Sequence, residues 1–139
     1  LAQNDQRLPV EKQVLIYPSL DYTLNHPSVT ENGKGYLLEA ERIAWYFQHY
    51  FQHGEDRRGA SPLFMPVSNR LPETLVISAE YCPLRDEALA YVQRLNDTGV
   101  PCRHRHFDDM IHAYLNLESL APDACAATYR EIAAFLNGD

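Results

Sequence analysis

Two short strings hold the side chains best suited to acid–base chemistry: Glu80-Tyr81-Cys82-Pro83-Leu84-Arg85-Asp86-Glu87 and Asp109-Met110-Ile111-His112-Ala113-Tyr114. His112 could accept a proton near neutral pH, because an unperturbed imidazole titrates near pH ~6.5. It lies on a loop beside Met110, Ile111 and Tyr114, and a histidine among apolar neighbours is as readily a packed structural group. A partner that fixes its tautomer would make it a general base. Cys82, Glu80 and Asp86 are the groups of the first string from which that partner could come, whereas Asp108 and Asp109 stand too close in sequence to reach the far ring nitrogen. No nucleophile accompanies them: Ser19, Ser28, Ser61, Ser68, Ser78 and Ser119 all lack the Gly-x-Ser-x-Gly turn that exposes a strained hydroxyl.

A second grouping is Cys102, His104 and His106, which alternate along a predicted strand and share a face that could hold a metal. Arg103 and Arg105 bring positive charge and no carboxylate completes the set, so no metal is expected, and nothing points to a cofactor. Cys82, Cys102 and Cys125 lack Cys-x-x-Cys spacing, which favours reduced thiols and a cytoplasmic setting. Cys125 reads as a small hydrophobe on a helix face.

These groups must be positioned by elements that periodicity and punctuation delimit. The chain has 139 residues, of which 45% are hydrophobic and 22% charged, enough for one globular domain. Val14 to Tyr17 is a short apolar run ended by Pro18, the pattern of a strand buried in a parallel sheet. From Gly35 to Phe51, Tyr36, Ala40, Ile43, Ala44, Phe47, Tyr50 and Phe51 recur at helical spacing, and Gly54 follows as a stop. Glu55 to Pro72 reads as loop with a helical turn, and Thr74 to Ala79 as a second buried strand. Leu84, Ala88, Tyr91, Val92 and Leu95 fall on one face of a helix stopped by Gly99 and Pro101. A third strand runs from Cys102 to Phe107, and a last helix starts at Pro122 with Cys125, Tyr129, Ile132 and Leu136 on its apolar face. Strand and helix alternate throughout. That order predicts an α/β fold with a parallel sheet and its chemistry at the C-terminal ends of the strands.

The two loop strings resemble the acid loop and the histidine loop of hormone-sensitive-lipase-like esterases and lipases, which have the α/β-hydrolase fold. In that family Glu-Tyr-Asp-Pro-Leu-Arg-Asp-Glu carries the triad acid and Met-Ile-His-Gly-Phe the triad histidine. The resemblance runs from about Val14 to Leu136. It implies the C-terminal half of an α/β-hydrolase domain over 1–139, with three consecutive parallel strands, flanking helices, a lid-type insertion over about 22–60, and the nucleophile-bearing N-terminal half absent. It also implies hydrolysis of a small-molecule carboxylic ester with a short to medium acyl chain, His112 being the general base. The acid position reads Cys82, so the carboxylate is lost, and Glu80 or Asp86 would have to substitute. Ala113 stands where the family commonly has Gly.

Two other classes fit the same residues. Loss of the acid at Cys82 favours a ligand-binding hydrolase-fold protein without turnover, and an interaction module of this half alone, dimeric through its exposed sheet edge, would need no nucleophile. A net charge of −7 with scattered basic residues argues against a nucleic-acid surface. No stretch approaches the ~18 apolar residues of a membrane span. The first residues, Leu1 to Asp5, carry no signal-peptide pattern, although signals of an upstream half would have gone with it. The expected partners are therefore the ester substrate and either a second copy or the missing half.

Overall fold

The structure is a computed structural model that describes residues 10–138, so the N-terminal stretch read for targeting signals lies outside the described residues. Three parallel strands, β1 (Lys12–Ile16), β2 (Glu73–Tyr81) and β3 (Cys102–Ile111), form one sheet in the order β1-β2-β3. Between β1 and β2 lie α1 (Pro27–Glu31), α2 (Ala40–Tyr50), α3 (Arg57–Ala60) and a 3-10 turn at Pro62–Phe64. The helix α4 (Arg85–Asp97) connects β2 to β3, and a 3-10 turn at Tyr114–Leu117 leads into α5 (Pro122–Asn137). The chain thus has the parallel α/β order that its alternating pattern predicts.

The central strand explains the layering. Along β2, Leu75, Ile77 and Ala79 point into a core with Ile43, Phe107, Tyr114, Cys125 and Phe135, while Val76 points into a second core with Ala88, Tyr91, Leu95 and Val100. Because successive strand side chains alternate between faces, α4 covers one side of β2 and α5 with α2 the other. All of Leu75 to Ala79 is buried, which is why Leu75-Val76-Ile77 reads as an unbroken apolar run and not as an alternation. The strand β1 differs: every one of its residues is only half-buried.

Several boundaries depart from the periodicity. The helix expected from Gly35 begins at Ala40, because Gly35 (φ 85°) and Leu37 (φ 69°) take left-handed backbone that no helix can include. Just before it, Gly33 meets the backbone of Val29 so closely that a Cβ would lie 2.0 Å from the Val29 carbonyl oxygen, and the Gly33 carbonyl in turn accepts from Ala40 N at 2.9 Å. The third strand continues past Phe107 to Ile111, with a register shift between Ala79 and Tyr81 that lets the two strands end together. On α5 the buried positions are Cys125, Thr128 and Phe135, and Tyr129 and Leu136 are exposed instead of joining the apolar face. Thr128 could not be picked by hydrophobicity; its hydroxyl is satisfied inside by Tyr114 Oη at 2.5 Å and by the Ala124 carbonyl at 2.9 Å.

Candidate active site

The register of the sheet brings the two loops together. Tyr81 of β2 pairs with Ile111 of β3, so the residues that follow, Cys82 and His112, leave neighbouring strand ends side by side. Cys82 Sγ lies 3.1 Å from His112 Nδ1. The thiol is otherwise enclosed, with the Leu84 N–H donating to Sγ at 3.3 Å. Burial pushes the Cys82 thiol up to about 12, and burial pulls the His112 imidazole down to about 4. Both are neutral at pH 7. The contact is therefore a hydrogen bond between a thiol and an uncharged imidazole.

The other acids of the first string are held elsewhere. Glu80 accepts from Arg85 Nη1 at 2.7 Å through one oxygen and contacts His106 Nε2 at 3.1 Å through the other. Asp86 accepts Arg85 Nε at 2.8 Å and the Ser28 N–H at 2.9 Å, so it serves the first turn of α1. Asp108 and Asp109 are exposed. Of the sequence candidates, the structure brings Cys82 to His112 and neither Glu80 nor Asp86.

Two residues of the segment between β1 and α2 grip the loop that bears Cys82. Asn32 Nδ2 donates to the Glu80 carbonyl at 2.9 Å and to the Cys82 carbonyl at 3.3 Å. Ser28 Oγ donates to the Pro83 carbonyl at 2.8 Å and accepts from the Asp86 N–H at 3.2 Å. Arg85 adds an ion pair to Glu31 at 2.7 Å. Sequence reasoning missed both Ser28 and Asn32, and the Asn32-Gly33 turn signature was the only local sign of them.

Tyr17 was missed as well. Its backbone N–H continues the β1 ladder to the Ile77 carbonyl at 2.7 Å, and its φ of 35° turns the side chain so that its ring lies 4.6 Å from that of His112 and 5.9 Å from that of Tyr114. Beside His112 opens a cavity of about 420 Å³ lined by Ile16, Tyr17, Pro18, Ser19, Leu38, Ile43, Tyr46, Phe47 and Leu84. The aromatic helix α2 thus contributes Ile43 and Phe47 to both the core and the cavity wall, and it leaves Trp45 and Tyr50 outward.

Among the described residues, no three His, Cys, Asp or Glu side chains converge on one point, and no helix is long and apolar enough to cross a membrane. The pair His104 and His106 meets at Ser78, whose Oγ is 2.8 Å from His104 Nε2 and 2.8 Å from His106 Nδ1.

Residues 1–116 match the family of the alpha/beta hydrolase fold. The chain is 34% identical over 125 residues to an ethyl acetate hydrolase of Pseudomonas putida, covering 88% of this chain and 39% of that protein. It is 32% identical over 120 residues to an arylesterase of Saccharolobus solfataricus, covering 83% and 39%. An esterase of Pyrobaculum calidifontis superposes with a TM-score of 0.80 at 35% identity, over 90% of this chain and 42% of that one. The chain spans about two fifths of the length of these relatives.

Proposed function

The chain belongs to the alpha/beta-hydrolase fold family, and from that premise we propose that it forms the acid-loop, histidine-loop and lid portion of a carboxylic-ester hydrolase whose nucleophilic serine lies outside these 139 residues. The observation that carries the reading is the 3.1 Å contact between Cys82 Sγ and His112 Nδ1, because it joins the two loops in the order acid position, then imidazole. His112 then presents Nε2 for a serine hydroxyl. That nitrogen would take the hydroxyl proton as the serine attacks the ester carbonyl, and would return it to the leaving alkoxide. The low imidazole pKa keeps one ring nitrogen unprotonated at neutral pH but makes a weak base. The apolar cavity beside His112 suits a short to medium acyl chain.

Cys82 limits that chemistry. A triad carboxylate accepts Nδ1–H, which leaves Nε2 unprotonated, and it stabilises the imidazolium. A neutral thiol has its own proton to give. When S–H donates to Nδ1, the ring proton sits on Nε2, the tautomer that cannot accept from serine. This observation favours a second reading, a hydrolase-fold pocket that binds an ester or acid and turns it over slowly or not at all. The two readings separate in the protein expressed with the segment encoded upstream of Leu1. Hydrolysis of p-nitrophenyl butyrate that His112→Ala abolishes and Cys82→Asp raises supports the hydrolase. Ligand binding without turnover in all three forms supports the second reading, and equal rates with Cys or Asp at 82 would remove Cys82 from the acid role.

A further inference from the structure

We propose that the imidazoles of His104 and His106 form a site for one late first-row divalent transition metal ion, copper, nickel or zinc, on the face of the sheet that α4 covers. The site lies apart from the Cys82–His112 pair and does not depend on the ester chemistry.

The geometry begins with β3. His104 pairs with Val76 and His106 with Ser78, so both imidazoles stand on the Val76 face of the sheet, the face packed by Ala88, Tyr91 and Leu95. Alternation sends Arg103 and Arg105 to the other face, where their guanidinium groups lie 5.6 Å over Phe135 and 4.8 Å over Phe107. The positive charge that sequence spacing places around the histidines is therefore on the wrong side of the strand to repel a cation. The ring centroids are 6.1 Å apart and one nitrogen of each ring aims at the same buried hydroxyl, Ser78 Oγ.

A carboxylate, absent from the sequence pattern, completes the arrangement. Glu80 Oε2 contacts His106 Nε2 at 3.1 Å, and Arg85 fixes the other Glu80 oxygen at 2.7 Å. With Nε2–H donated to Glu80, His106 Nδ1 carries a lone pair, which now accepts the Ser78 O–H. The hydroxyl has one proton, so His104 Nε2 must donate to Oγ. When a metal binds, the His104 proton moves to Nδ1 of the same ring, the Ser78 hydroxyl turns away, and the two nitrogens take the ion at about 2.0–2.1 Å with water filling the other positions. No net proton is released. A carboxylate holding the far nitrogen of a ligating histidine is the usual second layer of such a site, and imidazole ligands suit zinc, nickel and most of all copper.

Calorimetric titration of the chain with copper(II) in a weakly coordinating buffer tests the site. The expected result is one ion per chain, weakened at least about tenfold by His104→Ala or His106→Ala and about tenfold by Glu80→Gln, and unchanged by the double variant His49→Ala/His53→Ala, which removes two exposed histidines at and just beyond the end of α2. Loss of binding in that double variant, or equal affinity after His104→Ala/His106→Ala, overturns it. The unaltered chain gives an independent readout: substoichiometric copper should broaden the ring resonances of His104 and His106 before those of the other four histidines, and broadening that starts at His26, His49, His53 or His112 refutes the assignment.

Discussion

At position 82 a thiol and a carboxylate would point at the same imidazole nitrogen, yet they differ in which of them holds the proton. This difference can be read on the chain itself. Replacing Cys82 by Asp places an anion beside His112 Nδ1, so the imidazole, now depressed to about 4 by burial, should titrate more than about one unit higher by NMR; an unmoved value would mean that the new carboxylate does not reach the ring. In the protein that also carries the serine, the same change should raise turnover by up to about 10⁴, the scale of loss when a triad acid is neutralised. Glu87 gives a second residue-level test. It is fully buried, accepts the Leu20 N–H at 2.5 Å and the Asp21 N–H at 3.2 Å, and leaves Oε2 without a partner. Burial raises its pKa to about 7, against the two hydrogen bonds and with help from Asp21. A carboxyl raised on folding binds its proton more tightly when folded, so its stabilisation is complete below the unfolded value near 4.5 and is lost as pH rises through about 7. Glu87→Gln should therefore remove a loss of about 3 kcal/mol across that window. Urea midpoints at pH 5 and pH 7.5 decide it, and an unaltered difference between the two would refute the buried, protonatable Glu87.

Elements differ in how openly the sequence announces them. The strand β2 and the helix α4 are legible because Leu75-Val76-Ile77 is a continuous apolar run and Leu84, Ala88, Tyr91 and Leu95 repeat on one face before Gly99. The pairing of Cys82 with His112 was accessible only through the family resemblance, since it depends on the Tyr81 to Ile111 register and on a bulge that no local pattern encodes. The short helix α1 was invisible for a related reason: Ser28 and Asn32 are polar, and what stabilises them are carbonyls of residues 80, 82 and 83. Asn32→Ala removes two of those bonds and should cost about 1–3 kcal/mol, loosening the Cys82 loop; hydrogen exchange at Leu84 and Arg85 that stays unchanged would count against the grip. The turn after His112 makes the opposite prediction. Ala113 sits at φ 62° and opens the turn Tyr114–Leu117, where a Cβ is disfavoured by about 1–2 kcal/mol. Ala113→Gly should stabilise the chain by about 0.5–1 kcal/mol in denaturant midpoint, since relief of strain exceeds the added freedom of the unfolded glycine.

For the molecule as a whole, the exposed side of β1 sets the behaviour in solution. The sheet order puts β1 on the outside, and among the described residues its second edge has no strand partner. Natural edges are guarded by lysines, prolines or bulges. Lys12 is not such a guard, because its Nζ donates to the Phe135 carbonyl at 2.6 Å and the Leu136 carbonyl at 3.3 Å, closing the C-terminal end of α5. What remains facing outward is an apolar strand, Val14-Leu15-Ile16, whose residues are only half-buried. The helix α2 adds apolar surface, with Tyr46, Trp45 and Tyr50 at 53%, 47% and 75% exposure. Exposed apolar side chains in such number favour association, since large apolar patches are uncommon on soluble monomers. The chain should therefore associate at micromolar concentration, through the β1 edge or the exposed face of α2, unless another segment covers them. Sedimentation equilibrium gives the mass, and Tyr46→Glu/Tyr50→Glu separates the two surfaces: dissociation of the assembly by that pair assigns it to α2, and persistence assigns it to β1. A monomer that unfolds cooperatively with nothing bound would show that the β1 edge is tolerated in water, and would overturn the view of this sheet as part of a larger one.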